Sequence, residues 1–308
     1  MSGFSLPTIS PVFRDKIHHG LIGSEISLFE QVFGVQNTRQ LSGSLPYVPS
    51  KYELGQLKEK TKVGLKAEAE VEDMELASMP FQIVSKYAKA GSVHIAAIDA
   101  MEENSGEDLA ALTLKQAVRK TAFAIDVDGK DYLTNTTLNG VTINGTITVT
   151  AAWADETNAR PLKDLDAACD KVGNPDTIWL GLNFARLLAS LPSIKARIAN
   201  FNAVDGRVSF QELAGVIQRH YDFIRNVVID NTSYNSANPM QTAVFARTFD
   251  SVAWVGNSEQ MKCVENTKLR KAAIYADERK DIVVGESVRY LTFARGEASQ
   301  GCLIQGIA

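Results

Sequence analysis

The chain has 308 residues, 45% hydrophobic and 22% charged, with a formal net charge of −4 at pH 7. Such a composition builds a globular core and excludes a disordered or fibrous chain. It lacks the basic excess with which a dedicated duplex-binding protein neutralises phosphates, and no stretch is long and apolar enough to span a bilayer. Residues 1–11 carry no basic segment followed by an apolar run, so the expected origin is cytoplasmic rather than secreted. Cys169, Cys263 and Cys302 lie far apart and form no CxxC unit; buried free thiols are expected.

In chain order, residues 1–45 combine Pro and Gly punctuation with one short helical pattern over 25–32. They read as an extended arm with little core of its own. Residues 59–71 then alternate. Val63, Leu65, Ala67, Ala69 and Val71 share one face, with Lys62, Lys66, Glu68, Glu70 and Glu72 on the other, the period of a half-buried strand. A second run sets Phe81, Ile83 and Tyr87 on one face, and 72–80 is expected to turn between the two. The result is a long hairpin. A strand over 59–71 spans roughly 40 Å at about 3.3 Å per residue, against a radius of gyration of about 19 Å for a compact domain of this length. The hairpin is therefore expected to project, and its apolar face to need another molecule to cover it.

Residues 105–126 predict a long helix. Asn104 or Ser105 can cap it, and Glu107 and Asp108 suit its first turn. Ala111, Leu114, Val118, Ala122 and Ile125 make one apolar stripe, with Lys115, Arg119 and Lys120 largely off it. About 20 residues give a rod of roughly 30 Å. Residues 126–152 turn β-rich, with Asn139-Gly140 and Asn144-Gly145 as tight-turn dipeptides. Helices are expected over 158–172 and 183–190, the latter broken at Pro192, and over 210–221. Strands are expected over 177–182, 223–229, 242–255, 288–294 and 302–307, while 268–281 is charged and ambiguous. The sum is an α+β chain.

That order of arm, long hairpin, long helix and mixed body resembles the major capsid proteins of tailed bacteriophages, those with the Hong Kong 97 fold. The segment Asn174-Pro-Asp-Thr-Ile-Trp-Leu-Gly-Leu-Asn-Phe-Ala-Arg-Leu-Leu-Ala-Ser-Leu-Pro-Ser-Ile-Lys-Ala-Arg-Ile198 also looks like that family, where a turn, a strand and a helix lead towards the axial domain. The resemblance implies an N-terminal arm over 1–45 and an extended hairpin loop over 46–90. It implies a peripheral domain over 91–175 with a spine helix at 105–126, a mainly axial domain over 176–270, and C-terminal strands over 271–308 returning to the peripheral domain. It implies a non-enzymatic subunit, without cofactor or metal, that self-assembles as hexamers and pentamers into an icosahedral head around double-stranded DNA.

In that arrangement the hairpin lies over a neighbouring subunit, with Lys62, Val63, Leu65, Lys66, Glu68, Glu70 and Val71 as the contact candidates. Forty-five residues before the hairpin leave no room for a cleaved scaffolding segment, so a separate scaffolding protein, or none, is expected. Portal and decoration proteins are further possible partners, and no membrane is involved. The virion capsid, built in the host cytoplasm, is the expected location. Some members crosslink Lys to Asn. Lys58, Lys60, Lys62 and Lys66 lie on or near the hairpin, but no acceptor Asn or catalytic acid matches, and a solubilising role is expected of them. The nearest alternative is an encapsulin-like nanocompartment shell. A soluble enzyme or ligand-binding protein and a tail component follow.

Catalytic and metal motifs were sought directly. Gly206, Val208 and Glu212 fall at calcium-loop offsets, but the first and third positions are Phe201 and Ala203, which offer no side-chain oxygen. Asp126, Asp128 and Asp131 lack a following Glu at the required distance, and turn formation is the expected role of both segments. His18, His19, His94 and His220 show no metal spacing. There is no GxSxG elbow, GxxxxGK[ST] loop or GxGxxG fingerprint.

Overall fold

A computed structural model describes residues 27–47, 76–98, 109–134, 137–138, 141–142, 145–155, 157–172, 175–198, 208–230, 253–277, 279–297 and 300–306. The chain divides into two compact units. The first comprises Met1–Gly43, Phe81–Gly129 and Lys262–Phe293, and the second Ser44–Pro80, Lys130–Met261 and Ala294–Ala308.

The first unit begins at helix α1, Leu28–Phe33, where Ser27 and Glu30 form a reciprocal capping box. The S-x-x-E spacing dictates this, since each side chain reaches the other's free backbone N–H. Strand β1, Val35–Thr38, follows and runs parallel to β11, Met261–Asn266, with Val35 opposite Cys263. Beyond it, β2, Ser42–Tyr47, pairs with β3, Ala77–Gln82. Strand β4, Ser85–His94, lies antiparallel against β13, Ile282–Arg295, from Ser85–Leu291 to His94–Ile282. Strand β12, Lys271–Asp277, pairs with β13 from Asp277–Ile282 to Lys271–Val288. The sheet order is β1-β11-β13-β12, with β4 also on β13.

Helix α2, Leu109–Thr134, packs on this sheet. Its buried stripe keeps the predicted Leu114, Val118, Ala122 and Ile125 and adds Ala117, while the predicted Ala111 is half-buried. The close approach depends on glycine. Ile274, Gly285 and Gly91 stand in one cross-strand row. A Cβ on Gly285 would come 2.4 Å from the Leu114 amide nitrogen and 2.6 Å from the Thr113 carbonyl carbon, so no other residue fits there without moving the helix.

The second unit is built on a sheet ordered β7-β14-β10-β8-β9. These strands are β7, Gly145–Thr148; β8, Thr177–Gly181; β9, Asn226–Asp230; β10, Ala253–Gly256; and β14, Gly301–Gln305. Pairs β7–β14 and β8–β9 are parallel, and β14–β10 and β10–β8 antiparallel. Helices α3, Pro161–Lys171; α4, Leu182–Ser190; α5, Pro192–Lys195; and α6, Phe210–His220 supply Leu165, Phe184, Leu188, Ile194, Leu213 and Ile217 to a core that includes Ile178, Leu180, Val255 and Cys302. On the opposite face of the sheet, Trp179, Trp254 and Leu303 stand side by side in register and are also buried. Burial on both faces explains why β8 carries Ile178, Trp179 and Leu180 in succession instead of alternating apolar with polar. The short strands β5, Thr137–Leu138, and β6, Val141–Thr142, pair antiparallel with Leu138 opposite Val141; the expected turn dipeptide Asn139-Gly140 lies outside the described residues.

Several expectations are corrected. The segment before the hairpin is not without core: Phe29 and Phe33 are buried, and Phe29 meets Phe33 and Phe293 at centroid distances of 4.5 and 4.9 Å. The turn expected over 72–80 does not extend past 76, because 77–82 are strand. Phe81, Ile83 and Tyr87 are buried as expected, but on two strands. Beyond Ile83 the chain pairs with β13, a partner about 200 residues away that alternation cannot reveal. Asp126 and Asp128 lie within α2 and not in a turn, because the helix runs eight residues past its expected end at 126. The ambiguous charged stretch contains the regular strand β12.

Candidate functional site

The predicted contact residues Lys62, Val63, Leu65, Lys66, Glu68, Glu70 and Val71 lie outside the described residues, as do the alternating segment 59–71 and the calcium-like loop positions 201–207. What the structure provides is the stem. The chain leaves the described residues after Tyr47 and re-enters at Leu76, and the flanking strands β2 and β3 pair with each other. Leu41, Leu76 and Val84, at the ends of these strands, are exposed.

The residues preceding this stem are fixed in the first unit by buried charge. Arg289 donates from Nε to Glu265 Oε1 at 2.7 Å and from Nη2 to Glu265 Oε2 at 2.8 Å. The same guanidinium donates from Nη1 to Glu30 Oε2 at 3.0 Å and from Nη2 to Glu30 Oε1. All three side chains are nearly inaccessible to water, at 1% for both carboxylates and 8% for Arg289. Two carboxylates on one guanidinium leave an excess negative charge, and Arg270 Nη1, 3.4 Å from Glu265 Oε2, offsets it.

Burial alone would raise the Glu30 pKa, but the hydrogen bonds and charge of Arg289, with Ser27, outweigh it and hold the carboxyl below its ordinary value. Burial opposes charge on Arg289 too, and its two carboxylates overcome that and push its pKa up. Asp126 adds a second anchor. Its carboxylate accepts from the Leu28 N–H at 3.2 Å and the Phe29 N–H at 2.8 Å, capping free N–H groups at the start of α1 from a different helix. Asp128 accepts from the Tyr87 hydroxyl at 2.7 Å. Sequence reading missed this network. Its one local signal was Ser27-x-x-Glu30; Arg289 inside an apolar strand was the other clue.

Among the described residues, no group of three or more His, Cys, Asp or Glu could hold a metal ion, and no helix is long and apolar enough to cross a membrane. The three cysteines are buried and unpaired with each other. Burial raises the thiol pKa of each, that of Cys169 to about 12, which keeps them protonated and weakly nucleophilic.

Residues 95–235 match the family model described as Phage major capsid protein E. The chain is similar to phage major capsid proteins. Among solved structures, a phage-related protein from Bordetella bronchiseptica superposes with a TM-score of 0.68 at 15% identity, over 95% of this chain and 97% of that one. A virus-like particle protein from Pyrococcus furiosus gives 0.54 at 11% identity, over 96% and 100%. A protein of Mycobacterium phage Ogopogo gives 0.50 at 12%, over 91% and 92%. At these identities the likeness to solved structures is one of fold. No curated protein matches the chain in sequence. The resemblance read from the order of elements thus points to the same family as the sequence match. The match favours that reading over a nanocompartment shell.

Proposed function

We propose that this chain is the shell-building subunit of a tailed-phage head, assembling as hexamers and pentamers into an icosahedral lattice that encloses double-stranded DNA. The family match over 95–235 carries the proposal, supported by a fold likeness that extends over nearly the whole chain. In this reading α2 serves as the spine helix of a peripheral domain, the sheet of Trp179 and Trp254 belongs largely to the axial domain, and the chain between Tyr47 and Leu76 lies over a neighbouring subunit. Lys62, Val63, Leu65, Lys66, Glu68, Glu70 and Val71 make that contact. Each subunit then uses heterologous interfaces that close into rings. Exposed Lys–Glu pairs contribute about 0–1 kcal/mol each, so apolar burial drives association and charge sets register. Assembly takes place in the host cytoplasm, and the head joins a portal and any scaffolding or decoration protein.

The test is expression alone and with the neighbouring phage genes, followed by negative-stain electron microscopy. Closed shells or capsomer rings are the expected product. A monomer of about 34 kDa that persists in both preparations refutes the reading.

A further inference from the structure

We propose that β12 is a contact between two copies of this chain: its open edge pairs antiparallel with β12 of a second copy, about a two-fold axis at Ile274.

Strand β12 ends the path β1-β11-β13-β12, and among the described residues it is paired with β13 alone. Its seven residues span about 23 Å at about 3.3 Å each. An edge strand directs a row of backbone N–H and C=O groups away from its one neighbour, and proteins ordinarily blunt such a row by brevity, proline or charge. The other end of the path obeys that rule, since β1 has four residues and Gln36, Asn37 and Thr38 are polar. The middle of β12 does not. Ala272-Ala273-Ile274-Tyr275-Ala276 holds neither charge nor proline. Ile274 is opposite Gly285, against which α2 sits, yet the helix leaves it 38% exposed. Tyr275, on the other face of the strand, is 46% exposed.

Charge selects the strand that fits. The segment Arg270-Lys-Ala-Ala-Ile-Tyr-Ala-Asp-Glu278 sets basic residues at one end and acidic residues at the other, evenly about Ile274. In an antiparallel pair centred there, Lys271 stands opposite Asp277 of the partner subunit and Ala273 opposite Tyr275 of the partner subunit, while Ile274 meets its own equivalent. Opposite charges facing across a pair of strands stabilise it, and like charges destabilise it. A parallel pair would set lysine on lysine and aspartate on aspartate. Both charges keep capacity for the contact. Lys271 donates to Glu286 Oε2 at 2.7 Å, one of the three donors an ammonium has. Asp277 Oδ1 accepts from the Arg279 N–H at 3.2 Å, and its Oδ2 lies 3.8 Å from Lys280 Nζ, beyond hydrogen-bond reach. Exposed ion pairs are weak, so charge fixes the register while the backbone ladder and the covering of Ile274 and Tyr275 supply the attraction. Such a contact is isologous and joins two copies, whereas rings close through heterologous ones. In the shell reading above it ties one ring to the next; the pairing itself does not depend on that reading.

Cysteine substitutions in the full-length chain test it, in free subunits and in any shells formed. Directly opposite Cα atoms lie about 4.5–5.5 Å apart, inside the span of about 4.4–6.8 Å that a disulfide bridges. The native cysteines are all buried and do not compete. Under oxidised glutathione, I274C is expected to give a reducible dimer of twice 33.6 kDa on a denaturing gel. A272C alone is expected to give none, because the two equivalent positions lie four residues apart along the pair, about 13 Å. Co-expressed with A276C, whose position it faces, A272C is expected to crosslink. A dimer from neither I274C nor the A272C–A276C pair overturns the proposal, as does a dimer from A272C alone as abundant as that from I274C. Shells without these crosslinks refute this contact and leave the shell reading; crosslinked dimers from a protein that never forms shells do the reverse.

Discussion

Arg289→Met is expected to loosen the first unit selectively. The guanidinium is the shared partner of Glu30 and Glu265, whose side chains are each 1% accessible. Without it, Glu265 keeps only Arg270 at 3.4 Å, and Glu30 keeps the Ser27 N–H at 3.1 Å. Breaking a buried ion pair by removing one partner costs about 3–5 kcal/mol, because the surviving charge stays buried. Against a typical total of about 5–15 kcal/mol, the loss is large enough to open the unit locally.

Tryptophan fluorescence cannot detect this, since Trp153, Trp179 and Trp254 all belong to the second unit. Amide hydrogen exchange can. At about 1.4 kcal/mol per decade, a loss of about 4 kcal/mol speeds exchange of β11 and β13 amides by roughly a thousandfold, while β8 and β10 keep their rates. Replacing the whole triad, Glu30→Gln with Glu265→Gln and Arg289→Met, is expected to restore much of the protection, since neither carboxylate is then buried as an unpaired charge and the remaining Arg270 is 31% accessible to water. Unchanged exchange in Arg289→Met, or a triple variant looser than the single one, refutes the electrostatic account. A pH dependence follows. Folding depresses the Glu30 pKa, so the unfolded chain takes up the proton first on acidification. The stabilisation is present above the ordinary glutamate value of about 4.3 and is lost as pH falls through the lower folded value. Protection of β13 should fall with acid there in wild type and vary less in the triple variant.

Gly285→Ala is expected to destabilise the first unit by about 2 kcal/mol or more, an overpacking cost, because its Cβ would meet Leu114 backbone at 2.4 Å. Gly91→Ala, whose nearest atom is the Thr113 carbonyl oxygen at 3.4 Å, should be tolerated; exchange in β13 separates the two. Trp153→Phe removes the 2.7 Å hydrogen bond from Nε1 to the buried Asp164 carboxylate. It should cost about 1–3 kcal/mol, read as a lower denaturant midpoint in the fluorescence of the remaining tryptophans. Truncating Leu65 or Val71 to Ala is expected to weaken in vitro assembly more than neutralising Lys62; equal or opposite effects refute the view that apolar burial drives that contact.

How much of this was legible in sequence depends on how far apart the cause and its partner lie. Most of the α2 stripe, the α6 helix capped by Ser209 and Glu212 and the Pro192 break are set by neighbours within a few residues, and the sequence reading placed them. The errors share the opposite property. Alternation over 81–87 correctly found the buried side, but the partner of β4 is β13 and not the segment before it, and period two is the same whichever strand is opposite. Helix α2 was ended early, where Asp126, Asp128 and Asp131 suit a turn. Asp126 and Asp128 are instead matched to something distant, the amides of α1 and Tyr87, and the neighbouring Gly129 lies against the ring of Phe29, which a Cβ would meet at 2.5 Å. Glu30, Glu265 and Arg289 come from three separate parts of the chain, and only the folded sheet joins them. In each case a residue that fits poorly by local propensity marked a long-range contact. A buried arginine in an apolar strand, or a glycine and two aspartates in a helix, is therefore where a chain of this kind should be searched for the contacts that hold its frame.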